Sequence, residues 1–144
     1  MAGKAYRFSS SASWDQRPAD RIRQRVVIAL RDTVFLAWLA RRLRGLGWVV
    51  YSTQSGDQAR QLCRQYSPQV AVLDTGLEDQ SGWLTCEKIV REDPTVKVIL
   101  LALRPEANSA AFADFVGKAK LIHQEDGIQA IINEVVGTTA LVGS

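Results

Sequence analysis

Short apolar runs recur along this chain at nearly regular intervals, and each is followed by a stretch with helical spacing. Val26-Val27-Ile28-Ala29-Leu30 has no polar position and is dense in β-branched residues. Such a run suits a strand covered on both faces, because neither set of alternate side chains could face water. Val70-Ala71-Val72-Leu73 and Val96-Lys97-Val98-Ile99-Leu100-Leu101 have the same character. Trp48-Val49-Val50-Tyr51 and Lys120-Leu121-Ile122-His123 are shorter members of the set.

The intervening segments carry helical stripes. Phe35, Trp38, Leu39, Leu43 and Leu46 fall on one face of a first helix, which predicts them as core, Trp38 included. Arg41, Arg42 and Arg44 lie toward its C-terminal end, where the helix dipole favours cations, and Gly47 is the expected stop. Ala59, Leu62, Cys63 and Tyr66 mark a second helix, with Ser55 as candidate cap and Pro68 beyond its end. A third runs from about Gly82 to Glu92, before Pro94. Phe112, Phe115 and Val116 mark a fourth, and Ile128, Ile131, Ile132 and Val135 a fifth. Five strands alternating with five helices predict an α/β fold with one parallel sheet covered on both faces. Right-handed crossovers make it doubly wound, with strand order 2-1-3-4-5. Chemistry in such sheets gathers at the carboxyl ends of the strands.

Residues 25–137 are expected to form this one domain, after a flexible Ser-containing leader (1–24) and before a short tail (138–144). The net charge of +3 is uneven: residues 1–25 carry +4, so the remaining 119 sum to −1. A basic arm can touch nucleic acid, although a solvated leader is the commoner meaning. No apolar run has the length of a membrane helix, and no apolar segment follows Lys4 and Arg7 as in a signal peptide. The expected location is therefore cytoplasmic. Cys63 and Cys86 have no metal-binding spacing and are expected to be buried thiols, with a disulfide or a catalytic thiol as the other possibilities. His123 is the only histidine, and Gly-rich phosphate loops are absent from the sequence.

The segment from Val70 to Trp83, with Asp74, Gly76, Leu77, Asp79 and Gly82, resembles the heart of a two-component response regulator receiver domain of the CheY-like kind. In that family strand 3 ends in a phospho-accepting Asp, followed by a G-L-P-D-x-S/D-G turn; Glu78 stands here at the Pro. The resemblance extends over residues 26–136 and implies a flavodoxin-like sheet. It implies Asp74 as the phospho-acceptor position. The same alignment puts Leu30 and Arg31 at the acidic pair that holds Mg²⁺ in the family, with Asp32 one residue later. Ala102 falls at the switch Thr or Ser. Gln124 falls at the phosphate-contacting Lys, Glu125 at the Pro that follows it, and His123 is the neighbour of Gln124. Only Asp74 matches the family's reactive set.

Mg²⁺ requires several oxygen ligands in near-octahedral geometry, and a leucine and an arginine supply none of the missing carboxylates. No Mg²⁺ and no other cofactor is therefore expected. Arg31 is expected to pair its guanidinium with Asp74. Trp83 could be an exposed contact or lie half-buried against the loop. The function expected is a non-enzymatic signalling module that binds a partner protein or itself, independent of phosphorylation. The resemblance places that contact on the face of predicted helix 4, strand 5 and helix 5. The alternative is a stand-alone phospho-acceptor using Asp32 and Asp74; a weaker one is nucleic-acid contact through the N-terminal arm.

Overall fold

In a computed structural model, residues 24–103 and 119–143 are described. Five strands form one parallel sheet: β1 (Arg25–Ala29), β2 (Val49–Thr53), β3 (Val70–Asp74), β4 (Lys97–Ala102) and β5 (Ala119–His123). Their order, β2-β1-β3-β4-β5, is the doubly wound order expected from the sequence. Among the described residues there are four helices: α1 (Thr33–Gly45), α2 (Gly56–Tyr66), α3 (Gly82–Glu92) and α4 (Ile128–Gly143). The last corresponds to predicted helix 5. Predicted helix 4, with Phe112, Phe115 and Val116, lies outside the described residues, as does nearly all of the leader.

Alternation along the strands sorts the core into two layers. Val26, Ile28, Val70, Val72, Ile99 and Leu101 point to the side of α1 and α4. Val27, Ala29, Ala71, Leu73, Val98 and Leu100 point to the side of α2 and α3, where Cys63 and Cys86 also lie. Both thiols are free, and burial pushes each up to about 12. The three central strands are buried almost throughout, as their unbroken apolar composition requires.

Helix ends follow local chemistry. Ser55 and Ser81 cap α2 and α3 by accepting from Gln58 N–H and Leu84 N–H. The chain leaves α1 through Leu46 and turns at Gly47, whose φ of 96° is a left-handed value suited to glycine. Three details differ from expectation. Leu46 is exposed at the helix end. Trp38 is 36% exposed, with the Arg42 guanidinium over its ring, so it is not core. Gly137 does not end the last helix, which continues to Gly143 through the stretch expected to be a tail; one glycine costs a helix only about 1 kcal/mol.

Candidate functional site

Asp74 is the last residue of β3 and is 0% exposed. A carboxylate removed from water needs donors, and two backbone groups supply them. Arg31 N–H donates to Oδ2 at 3.1 Å, and Gly76 N–H donates to Oδ1 at 2.8 Å. The side chain thus ties the β1–α1 connection to the turn after β3. Gly82 is required beside it, because a Cβ there would run into the Asp74 carbonyl oxygen and lie 2.9 Å from Thr75 Cα. The Gly82 N–H also donates to Thr75 O at 3.1 Å, closing the turn onto the strand.

The residues expected around Asp74 go three ways. Leu30 is fully buried in the α1–α4 layer, and its N–H donates to Thr53 O. The Arg31 guanidinium does not meet Asp74: its Nε lies 3.2 Å from Glu78 Oε2, with both side chains largely in solvent. Water leaves an arginine free to choose the more accessible carboxylate, whereas reaching Asp74 would require desolvation. Gln54 Nε2 holds the Arg31 carbonyl at 2.8 Å. Asp32 caps α1, its Oδ1 accepting from Val34 N–H at 2.9 Å and Phe35 N–H at 3.1 Å. A carboxylate at a helix N-terminus meets both free N–H groups and the positive end of the dipole.

On the other side of the site, Ala102 is buried at the end of β4 and is paired in register with His123 at the end of β5. His123 N–H donates to Asp126 Oδ2, and Gln124 opens the short 3₁₀ turn Gln124–Asp126. Asp32, His123 and Gln124 share the lining of a cleft of about 580 Å³ between α1 and α4. Of the positions aligned with the family's reactive set, Asp74 meets only the main chain of Arg31, Leu30 and Ala102 are buried, and His123 and Gln124 line the cleft with Asp32. Trp83, on α3, packs half-buried against the α2–α3 layer.

One polar centre was not anticipated as such. Asp79 accepts from Ser55 Oγ (2.9 Å), Gly56 N–H (2.8 Å) and Asp57 N–H (3.0 Å), so it clamps the turn after β3 onto the start of α2. Partial desolvation works against its ionisation, but the N–H groups of Asp57 and Gly56 and the Ser55 hydroxyl outweigh it and hold the carboxyl down at about 2. Its partners lie more than twenty residues away in sequence, so no local pattern announces the clamp.

The family model described as response regulator receiver domain matches residues 26–133. A probable transcriptional regulatory protein of Mycobacterium tuberculosis, TcrX, is 31% identical over 88 residues, which is 61% of this chain and 38% of that protein. The chain is similar in structure to the BeF₃-activated DrrB receiver domain, with a TM-score of 0.72 and 23% identity, covering 83% of this chain and 99% of that one. It is also similar to the signal receiver domain of an HD domain-containing protein from Pseudomonas fluorescens, with a TM-score of 0.75, 18% identity, and 82% and 95% coverage.

Proposed function

This chain belongs to the response regulator receiver domain family, and we propose that it is a receiver whose signalling is by protein–protein interaction, independent of phosphorylation and without enzymatic activity. The observation that carries this reading is the state of Asp74. Phosphoryl transfer needs a carboxylate oxygen that can approach phosphorus in line, with a cation to neutralise charge on the moving group. Here the carboxylate is buried, and each oxygen accepts a backbone N–H.

Mg²⁺, which the family implies, does not fit this donor set. Leu30 supplies only packing, the Arg31 side chain brings positive charge to Glu78, and the Asp32 oxygen is engaged by the first turn of α1. Ala102 has no hydroxyl to follow a phosphoryl group. The partner face implied by the resemblance involves predicted helix 4, so only β5 and α4 of it lie within the described residues.

The test is incubation of the full chain with Mg²⁺ and acetyl phosphate, followed by intact mass. The expected result is an unmodified chain. A phosphoryl adduct that disappears in Asp74→Asn would overturn the reading in favour of an active phospho-acceptor.

A further inference from the structure

We propose a second contact, separate from the interaction-module reading above: the end of the molecule opposite Asp74 holds the phosphate backbone of a nucleic acid, without reading its sequence. Charge is divided sharply along this chain. Residues 24–56 hold five arginines, no lysine and one acid, Asp32. Residues 57–144 hold eight basic and twelve acidic side chains. The net +3 of the whole thus conceals a basic first part and an acidic remainder.

The fold gathers the basic part at one end. Because α1 connects two parallel strands, it runs from the carboxyl edge of the sheet, where Asp74 lies, to the amino edge. Arg41, Arg42 and Arg44 fall in its last five residues and are all exposed, while Leu39, Ala40 and Leu43 bury the other side of the helix. Arg44 Nη2 donates to Val50 O at 3.0 Å, which fixes its guanidinium beside the edge strand β2. The Arg42 guanidinium is held 5.0 Å from the centroid of the Trp38 ring. Among the described residues none of the three forms an ion pair, whereas Arg60 pairs with Glu92 and Arg91 with Glu87. No acidic residue occurs between Asp32 and Asp57, so no carboxylate of this stretch offsets the three guanidinium groups. A second source of charge joins at the same end. Val49 N–H donates to Gln24 O at 2.8 Å, which sets the residue before β1 beside the connection that follows α1. Residues 1–23, joined to the domain at Gln24, hold five basic and two acidic side chains.

The chemistry suits phosphate. Arginine forks bind phosphate oxygens in pairs and stay charged at any physiological pH. Contacts with nucleic acid are more polar and more positive than those between proteins, and basic N-terminal arms extend them. Next to the arginines the exposed residues are Gly45, Leu46 and Gly47, which offer little apolar area for the core of a protein interface.

The probe is a fluorescent DNA duplex of arbitrary sequence, titrated with the full chain at salt concentrations from about 50 to about 200 mM and followed by anisotropy. The dissociation constant is expected to rise about a hundredfold across that range, as for about four phosphate contacts. R41A+R42A should reduce the rise to about tenfold, because two contacts are lost. R17A+R21A+R23A, made in the same full chain, should also flatten it. R91A, which removes an exposed arginine of α3, should leave it at the parent's value. Unchanged circular dichroism shows that each variant retains the fold. Asp74→Asn should bind the duplex as the parent does, and a loss of binding there would overturn the separation of the two ends. No binding at about 50 mM salt, a parental salt dependence in R41A+R42A, or an equal loss in R91A would overturn the proposal. Tighter binding to polyglutamate would overturn it in favour of an acidic protein, and tighter binding to vesicles containing phosphatidylserine in favour of a membrane surface.

Discussion

Two turns flank the same carboxylate and have kept different things. The turn after β3 follows the family pattern at Asp74, Gly76, Asp79 and Gly82, each held by backbone geometry or backbone hydrogen bonds. The turn after β1 has Leu30, Arg31 and Asp32 instead of an acidic pair, yet it meets Asp74 through a main-chain N–H that any residue but proline could supply. Its side chains are free to serve the core, the solvent and the helix cap. The contrast teaches that the architecture of the site depends on main-chain contacts from the first turn and on side-chain identity in the second. Reactive groups can therefore vanish from the first turn with little cost to the fold.

Breaking the second turn should hurt most. Gly82→Ala places a methyl group against the backbone of Asp74 and Thr75, which cannot yield as a flexible side chain would. A loss of about 3 kcal/mol is expected in urea unfolding. A loss below about 1 kcal/mol would mean that the turn is softer than its contacts indicate.

Asp74→Ala is expected to cost about 2 kcal/mol, because the N–H groups of Arg31 and Gly76 lose their acceptor. Asp74→Asn, which keeps an acceptor oxygen, should recover part of that loss. An alanine variant as stable as the parent would show that the carboxylate does not tie the two turns together.

The Asp79 clamp gives a pH signature. Its folded pKa, about 2, lies below the ordinary aspartate value of about 3.9. Its contribution is therefore fully present above pH 4 and is lost as pH falls from about 4 to about 2. Asp79 is exposed, so solvent screening limits its worth, and about 1 kcal/mol is expected for Asp79→Ala at pH 7. The difference between parent and variant should shrink on titration to pH 2. A difference independent of pH would assign the effect to packing.

Glu78→Ala and Arg31→Ala should each change stability by less than about 1 kcal/mol, since their pair is exposed. A double-mutant cycle should give a small coupling for Arg31 with Glu78, weakened by salt, and none between the Arg31 side chain and Asp74. A coupling above 1 kcal/mol between Arg31 and Asp74 would put the guanidinium back on the buried carboxylate.

These differences also mark what was legible in the sequence. Strand positions were readable because buried parallel strands leave uninterrupted apolar runs, as in Val26–Leu30 and Val70–Leu73. Ser55 was readable as a cap because its partner is local. Asp32 carries the same local signal ahead of α1, a carboxylate two and three residues before the N–H groups it caps. The direction of Arg31 was not readable, because Asp74 and Glu78 are both within reach of a long side chain and only their exposures separate them. Trp38 shares the spacing of core residues, yet it lies at the edge of the buried arc, where a few tens of degrees of rotation decide exposure. The Asp79 clamp joins segments distant in sequence, so it was beyond any local pattern.

The placement of the thiols makes the molecule a one-sided clock. Cys63 and Cys86 are the only cysteines, and both sit in the layer of α2 and α3. With burial holding the thiolates scarce at neutral pH, an alkylating reagent reacts with them chiefly while that layer parts from the sheet. Labelling kinetics would therefore time the breathing of one flank and remain blind to movements of α1 and α4 that leave the other flank closed.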